Sequence, residues 1–453
     1  MRLRLPLAAA VTAAAAFLVA PAAEAATTCA RSGTTVTVEG EVEFVAVFLS
    51  GTELRAITST GTIDCGDATD ANTDDVHIVA PPDVDVLASA GLVAPLSGGA
   101  TDEPGSSDEI EVAVDGYAFP AVLASGPSNL AAGARADGAL LANVDAAQDD
   151  EPDLVATGPI VEMELIGSGD ADVIAADGSA GTGAPPGLRV NPFGADGEDT
   201  LTGGQMQGGA GDDTLIDPTP GGEERDAIAD YQQAAGPVKV VLPGGTLPGQ
   251  DGDGGTDTFA GLTTIQATPF GDELTAGPDG AVFLALAGDD TLVGGPAGDV
   301  FQPDAGEDTV DGGGGDDAVL SFERDDGDVY EGGPGTLDQV RYASTTTSRG
   351  RTAPLRVTTG GGADDGEEGE GDDVRGDVEV IFGGAGADVL TGDGDAELLF
   401  GAGGADTVDG RGGDDVVDGD GGGPGIVDAG NVVVGGPGAD VLVGSEGPDD
   451  LRA

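Results

Sequence analysis

Between residues 383 and 418 the chain repeats a unit of nine residues four times. The first copy reads Gly-Gly-Ala-Gly-Ala-Asp-Val-Leu-Thr from Gly383, a degenerate copy follows from Gly392, and further copies start at Gly401 and Gly410. Each unit joins a glycine-rich half to a short half of the form x-U-x, in which U is apolar. A fixed period of this kind builds a stack of similar layers, because each unit can bury its apolar side chain only against its neighbours.

The unit fits the pattern G-G-x-G-x-D-x-U-x, with the glycines, the aspartate and the apolar residue all in place. In these residues the chain resembles the secreted bacterial hemolysin-type (RTX) calcium-binding repeat proteins. The resemblance implies an all-β fold, namely a right-handed parallel β-roll or β-helix solenoid built from calcium-binding nonapeptides. It implies Ca²⁺ as the bound cofactor, with several ions along the array.

The physical properties of the unit agree with this fold. Glycine tolerates positive φ and close approach of backbones, so the first half can turn tightly with its carbonyl groups pointing inward. The x-U-x half predicts a short strand with one side chain inward and two outward. Two units then make one coil, and coils stack at roughly 4.8 Å. Turns eighteen residues apart in sequence become neighbours.

Stacked acidic turns require a cation between them. Two carboxylates about 5 Å apart repel by ~1 kcal/mol in bulk water and by several kcal/mol at an effective dielectric of about 20. Calcium accepts roughly six to eight oxygen ligands in irregular geometry, which two turns can supply, whereas magnesium requires an octahedron and retains its waters. The spacing therefore favours calcium.

The same period extends upstream from Ala267, and the acid of each unit is a predicted calcium ligand. The predicted ligands are Asp272, Asp290, Asp299, Asp308 and Asp317 in this block and Asp388, Glu397, Asp406 and Asp415 in the last block. Acids eighteen residues apart are expected to pair, such as Asp272 with Asp290 and Asp388 with Asp406. Asp317 is expected to end its row, because no acidic turn lies eighteen residues further on.

Two further sites follow the pattern less closely. Asp199 and Asp213 lie fourteen residues apart, with a shortened unit between them that has Met206 as its inward residue. Asp440 belongs to a good copy near the C-terminus whose register slips by two, and Asp449 is its expected successor. We predict a calcium pair at the first position and a loose terminal site at the second.

The composition agrees with cation-dependent folding. Asp and Glu number 84 against 16 Lys and Arg, which gives a formal charge of -68, and 83 of the 453 residues are glycine. Such a chain is expected to collapse only when counter-ions enter, and then to bury a thin apolar column. Nucleic acid is excluded as a partner at this charge.

The first residues predict secretion. Arg2 and Arg4 precede an apolar run, and Ala23-Glu24-Ala25 offers a cleavage site, so the mature chain is expected to start at Ala26. A transmembrane anchor is disfavoured, because the run is short and no other stretch approaches the roughly 20 apolar residues of a span. Cys29 and Cys65 are the only cysteines. In an exported chain they predict one disulfide bond.

A duplicated spacer organises the middle of the chain. Asp257, Ile265 and Asp272 recur with the same spacing as Asp373, Ile381 and Asp388, and Tyr231 parallels Tyr342. The acidic loop over residues 360–373 is interpreted as a solvated linker, with recruitment of further cations as the alternative. The predicted organisation is a signal peptide (1–25), an N-terminal all-β cap domain with one disulfide (26–165), repeat blocks (166–216, 267–320 and 383–453) and spacer modules (217–266 and 321–382).

The sequence predicts no enzyme. It has no G-x-S-x-G or H-E-x-x-H motif, and His77 is the sole histidine. The predicted function is extracellular calcium binding with calcium-induced folding. An adhesive or matrix protein that presents the loaded roll to an unknown cell-surface ligand stays open as an alternative. A divergent carbohydrate-active β-helix is the enzymatic alternative, although the chain has no tryptophan to hold a sugar.

Overall fold

The computed structural model describes the strands between residues 28 and 166, and the continuous segments 172–175, 189–219, 227–324, 327–343, 350–420, 430–444 and 448–453. In these residues the regular elements are β-strands. The chain divides into two compact units, Met1–Gly208 and Gly209–Ala453. The predicted signal peptide lies outside the described residues.

The first unit combines parallel stacking with a few hairpins. Its strands are β1 (Thr28–Ser32), β2 (Thr35–Glu39), β3 (Phe44–Ser50), β4 (Glu53–Thr58), β5 (Gly61–Thr69), β6 (Asp75–Val79), β7 (Leu87–Ala90), β8 (Glu111–Asp115), β9 (Ala121–Leu123), β10 (Asn129–Ala134), β11 (Leu140–Asn143), β12 (Leu154–Thr157), β13 (Glu162–Ile166), β14 (Val173–Ala175), β15 (Arg189–Asp196) and β16 (Thr200–Thr202).

Two parallel ladders run through this unit, one through β2, β6, β8 and β12 and the other through β3, β7, β9, β13 and β15. At its start, antiparallel pairs join β1 to β2, β3 to β4, and β4 to β5. A disulfide bond connects Cys29 on β1 to Cys65 on β5, as the sequence predicted. The N-terminal region is therefore all-β.

The second unit is built mainly from strands of three residues. After β17 (Gln205–Ala210), which crosses from one unit to the next, come β18 (Thr214–Ile216), β19 (Ile228–Asp230), β20 (Lys239–Val241), β21 (Gly245–Thr246), β22 (Thr258–Ala260), β23 (Thr264–Gln266), β24 (Glu273–Thr275), β25 (Val282–Leu284), β26 (Thr291–Val293), β27 (Val300–Gln302), β28 (Thr309–Asp311), β29 (Ala318–Leu320), β30 (Val329–Glu331) and β31 (Gln339–Arg341).

The remaining strands of the second unit follow the same form. They are β32 (Leu355–Thr358), β33 (Gly366–Glu367), β34 (Asp373–Val374), β35 (Val380–Phe382), β36 (Val389–Thr391), β37 (Leu398–Phe400), β38 (Thr407–Asp409), β39 (Val416–Asp418), β40 (Val432–Val434), β41 (Val441–Val443) and β42 (Asp450–Arg452).

Strand pairing shows that two nonapeptides make one coil. β24 pairs in parallel with β26, which sets Leu274 opposite Leu292, and β25 pairs with β27, which sets Phe283 opposite Phe301. The paired residues are eighteen apart, as predicted. The inward residue of each of these strands is 0 % exposed. The chain therefore forms a parallel β-roll around an apolar column, to which each of these strands contributes one inward side chain.

The two spacers have a common arrangement. Each contributes an antiparallel hairpin, β20 with β21 and β32 with β33, whose first strand pairs in parallel with the next repeat strand, β24 or β36. The Tyr231 hydroxyl donates to Asp257 at 2.6 Å, and the Tyr342 hydroxyl donates to Asp372 at 3.5 Å. Asp372, and not Asp373, is therefore the structural counterpart of Asp257. The inward residue Phe259 follows Asp257 by two positions, and the inward residue Val374 follows Asp372 by two positions.

The acidic loop of the second spacer is not a solvated linker. Asp365, Glu370 and Asp372 are buried, and Glu370 forms an ion pair with Arg351, which is itself 3 % exposed. Arg351 also donates to the Ser321 hydroxyl at 2.6 Å, and its guanidinium carbon lies 5.0 Å from the centre of the Tyr342 ring. The solvated-linker interpretation is therefore wrong, because the loop folds back onto a guanidinium within the roll.

Removing this guanidinium should destabilise the second spacer strongly. We expect Arg351→Met to lower the free energy of unfolding by ~3–5 kcal/mol, because it leaves the Glu370 carboxylate buried without its partner. Arg356→Met is the matched control, since Arg356 is exposed on β32. Urea unfolding in calcium, followed by circular dichroism, measures the difference. Equal midpoints for the two variants would contradict the stabilising role of the ion pair.

Candidate metal centre

Each acid of the repeat immediately precedes a strand and receives a hydrogen bond from the coil before it. The Asp272 amide donates to Asp290 Oδ1 at 2.7 Å, and the Asp290 amide donates to Asp308 Oδ1 at 2.7 Å. The same bond joins Asp299 to Asp317 at 2.7 Å. Parallel stacking carries one turn directly over the next, so these bonds form continuous lines that we call acid rows.

The last repeat block contains the same rows. The Asp388 amide donates to Asp406 Oδ1 at 2.8 Å, and the Glu397 amide donates to Asp415 Oδ1 at 3.0 Å. All nine acids predicted in the two regular blocks are between 1 % and 3 % exposed. The structure therefore brings together the acid pairs that the eighteen-residue spacing predicted, and it buries them.

The rows continue where the sequence ended them. The Asp317 amide donates to Asp338 Oδ1 at 2.8 Å, so the expectation that Asp317 ends its row is wrong. The spacer lengthens the coil to 21 residues here and to 20 residues between Asp308 and Asp328, whose bond is also 2.8 Å. The sequence does contain a sign of these two turns that does not depend on the repeat glycines. An acid is followed two positions later by the inward strand residue in both Asp328-Val329-Tyr330 and Asp338-Gln339-Val340.

The irregular acids make the same kind of contact within their own units. Asp199 accepts the Asp172 amide at 2.7 Å in the first unit, and the Asp213 amide donates to Asp257 at 3.1 Å in the second unit. Asp199 belongs to the first unit and Asp213 to the second. Both are buried, at 1 % exposure.

At the C-terminus Asp440 and Asp449 lie in different acid rows. Asp449 accepts the amide of Asn431 at 2.9 Å, whereas Asp440 accepts the amide of Asp415 at 3.2 Å. Asn431 replaces an acid in the row and accepts the Asp406 amide at 2.9 Å. The longer connection after β39 spaces these partners 25 residues apart, so counting by eighteen assigns them to the wrong row.

The first glycine of a unit leaves space into which two oxygens point. A methyl group built on Gly401 would lie 2.1 Å from the Gly419 carbonyl oxygen and 2.7 Å from Asp406 Oδ2. A methyl group on Gly312 would lie 2.5 Å from the Gly332 carbonyl oxygen and 2.8 Å from Asp317 Oδ2. Glycine is required here because any side chain would displace the carbonyl and carboxylate oxygens that converge on this space. We call this arrangement the glycine cradle.

Several of the carboxylate oxygens in the acid rows are buried and accept no hydrogen bond. They are Oδ2 of Asp290, Asp308, Asp317, Asp338, Asp406 and Asp415 and Oε2 of Glu397. Burial raises the pKa of Asp290 to about 8 and the pKa values of Asp308, Asp317 and Asp406 to about 7, and neighbouring acids add to each increase. A buried charged oxygen without a partner is costly, so each of these positions calls for a cation or a proton.

The residues fit a calcium ion. Hard cations bind carboxylate and carbonyl oxygens, and the glycine cradle supplies one of each. In the described segments no group of three or more His, Cys, Asp or Glu side chains is placed to hold a metal. Main-chain carbonyl oxygens must therefore complete the ligand set. Calcium tolerates this mixed and irregular set better than magnesium.

A methyl group in one cradle should remove a cation without changing any charge. We expect Gly401→Ala to reduce the number of bound calcium ions, because the methyl group would collide with Asp406 Oδ2 and the Gly419 carbonyl oxygen. Gly394→Ala is the matched control, since nothing lies within 4 Å of a methyl group at that position. Isothermal titration of both variants with calcium checks this. A full complement of ions in Gly401→Ala would contradict the cradle as a ligand position.

The raised pKa values predict a pH dependence of the calcium-free protein. Asp290 holds its proton in the folded state up to about pH 8, whereas its pKa is 3.8 in the absence of the shift. The stability gained from protonation is complete below pH ~4 and is lost as the pH rises through the folded pKa. We expect the chelated protein to retain more β-structure at about pH 5 than at about pH 8, and calcium binding at neutral pH to release protons. Circular dichroism in chelator tests the first point, and β-content that increases with pH would contradict it.

Comparison with known families agrees with this geometry. The model of the RTX calcium-binding nonapeptide repeat matches residues 284–319, 376–408, 391–423 and 428–453. The acids of the two regular blocks lie in these stretches except for Asp272, and Asp199 and Asp213 also lie outside them. No curated protein matches the chain. The repeats, the parallel β-roll and the buried acid rows together show that the C-terminal region of the chain contains RTX calcium-binding nonapeptide repeats.

Proposed function

We propose that the protein is an extracellular calcium-binding protein whose β-roll folds when calcium enters its turns. The observation that supports this most directly is the set of buried carboxylate oxygens that accept no hydrogen bond. Burying an ionised carboxylate without a partner costs several kcal/mol. A thin apolar column cannot offset that cost at every coil, since a fully buried leucine or valine contributes only ~1.5–3 kcal/mol.

The proposed ligands are the acids of the rows together with the carbonyl oxygens of the glycine cradles. Bound calcium would supply the positive charge that allows neighbouring carboxylates to stay ionised inside the roll. These aspartates are held in place by Oδ1, which accepts the amide of the previous turn. This leaves Oδ2 of residues such as Asp290 and Asp308 for the cation.

Asp272, Asp299 and Asp388 differ from the other acids of the regular blocks, because hydrogen bonds occupy both of their carboxylate oxygens. Asp272 accepts these bonds from Val238 and Thr268, Asp299 from Ala281 and Gly295, and Asp388 from Leu355 and Gly384. We assign these three acids a weaker share in cation binding than the acids one coil further on.

Export is proposed from the first residues of the sequence, which combine arginines, an apolar run and a small-residue cleavage site. The disulfide between Cys29 and Cys65 suits an oxidising compartment. In the described residues, no helix combines the length and apolarity that crossing a membrane requires. The mature chain is accordingly proposed to work outside the cell, where calcium is abundant.

An adhesive role is the second candidate, and one surface feature favours it. Phe382 on β35 and Phe400 on β37 stack with ring centres 4.5 Å apart, and the Arg341 guanidinium carbon lies 4.4 Å from the centre of the Phe382 ring. Outward-pointing aromatic side chains on adjacent strands provide a contact surface. A calcium-loaded roll would present this pair to a ligand in a fixed geometry.

Calcium removal tests the proposed function. We expect the mature chain to be largely unfolded in chelator and to gain β-structure in millimolar calcium, because metal binding offsets chain entropy and carboxylate repulsion. Far-ultraviolet circular dichroism during a calcium titration measures the change. Magnesium at the same concentration is the control and should produce little structure. Equal β-content with and without calcium would show that the metal does not drive folding.

A further inference from the structure

One sheet of the roll in the second unit has an apolar outer surface. Strands β25, β27, β29, β31, β35, β37, β39 and β41 pair in parallel in that order. The middle residue of each strand points into the roll, so the first and third residues point outward. We call these outward residues the apolar face. Most are Val, Leu or Phe, and the charged ones are Arg341 and Asp418.

Other repeat strands carry a polar outer surface. On β24, β26, β28 and β38 the outward residues are mainly threonine, aspartate and glutamate, such as Thr291, Asp311 and Asp409. The coil therefore does not require apolar side chains at its outward positions. In a chain with a formal charge of -68, the apolar face carries one positive and one negative side chain and no net charge.

The apolar face is accessible at several points. Val441 is 54 % exposed and Val443 is 38 % exposed, and Leu398 and the stacked pair Phe382 and Phe400 are partly exposed. Strands of three residues are about 10 Å long and lie ~4.8 Å apart, so the face spans roughly 400 Å². Apolar patches of about this size on monomers are often interaction sites.

The two charges stand at either end of a short outward column. Strand pairing makes Arg341 the neighbour of Phe382, Phe382 the neighbour of Phe400, and Phe400 the neighbour of Asp418. Arg341 and Asp418 are thus three strand spacings apart, about 14 Å, which is too far for an ion pair within one chain.

Arg341 is partly buried without an acid of its own. Its guanidinium lies over the Phe382 ring, and its Nε donates to Gln339 Oε1 at 2.8 Å. Burial lowers the pKa of Arg341. Among the residues that the structure describes, no ion pair includes it. A carboxylate that approached from outside the roll would therefore complete its contacts.

A second copy of the chain supplies this carboxylate by symmetry. A twofold axis parallel to the strands, between β35 and β37, places one apolar face on another with the order of the coils reversed. β35 then faces β37 of the second copy, and β31 faces β39. Phe382 lies opposite Phe400, and Arg341 lies opposite Asp418, at two equivalent positions. The column is therefore complementary to itself in both charge and apolar character.

We propose that the apolar face is a self-association surface, on which two calcium-loaded rolls pair face to face with their coils in opposite order. The proposal rests on the proposed function, because the face forms only when calcium folds the roll. Bound calcium also reduces the net negative charge that keeps two copies apart. Each partner of a standard interface contributes ~800 Å², so this smaller face predicts a weak dimer that depends on protein concentration.

The test uses reversal of the two charges. Arg341→Glu and Asp418→Arg each place like charges opposite one another at both equivalent contacts, whereas the double variant restores opposite charges. Asp409→Arg is the matched control for Asp418→Arg. Asp409 is an outward residue of β38, and each of these aspartates accepts the amide two residues further on, at 3.1 Å and 3.0 Å. Arg356→Glu, on β32, is the control for Arg341→Glu.

Sedimentation velocity of the mature full-length chain in saturating calcium, over a range of protein concentrations, measures the association. We expect a dimer that each single reversal weakens by about tenfold or more, because like charges then meet twice. The double variant should recover the dimer, and the two control variants should leave it unchanged. Recovery by the double variant distinguishes pairing of two copies from a general effect of either substitution.

A folded chain that stays monomeric at every concentration overturns the proposal and leaves the face to a different partner. A dimer that the single reversals do not weaken, or that the double variant does not recover, also overturns it. Circular dichroism in calcium checks that each variant folds, and if one single variant does not, the other decides by the same criterion. An unaltered chain that gains no β-structure in calcium would instead refute the proposed function.

Discussion

The structure depends on one repeated interaction, the hydrogen bond from the amide of an acid in one turn to the carboxylate of the acid one coil later. It fixes the register of the stack at the turns, as strand pairing fixes it along the sheets. The bond from Asp272 to Asp290 continues into the bond from Asp290 to Asp308, so one turn cannot shift without its neighbours. The same interaction buries a carboxyl group in each regular coil.

This arrangement reverses the usual distribution of charge in a protein. Buried acids are rare unless they are paired, and here they occur at most turns of the roll. The apolar column cannot compensate, because each coil buries only one apolar side chain per strand, such as Leu292 or Phe301. The folded state therefore needs either protons or cations on its acid rows. The glycine cradles show where a cation finds a carboxylate and a carbonyl oxygen together.

The spacers show two ways of treating the buried charge. In the second spacer Arg351 enters the roll and neutralises Glu370, so this part of the structure carries its own cation. In the same spacer Asp338 is buried, and its Oδ2 accepts no hydrogen bond. One spacer thus combines a buried acid that an arginine neutralises with a buried acid that has one unpartnered oxygen.

The sequence by itself determined the coil and its contents. The nine-residue period predicted strands of three residues, the inward position of Leu274 and Phe301, and the pairing of acids eighteen residues apart, and these features follow from local spacing alone. The disulfide between Cys29 and Cys65 was also predicted, since no other pairing exists.

The tertiary structure decided everything that interrupts the period. Asp328, Asp338 and Asp372 join the rows across 20, 21 and 44 residues, and Asn431 takes the place of an acid across 25. The physical reason is that strand pairing sets which turns become neighbours, whatever length of chain lies between them. Counting residues gives the right neighbour only while each coil has the same length.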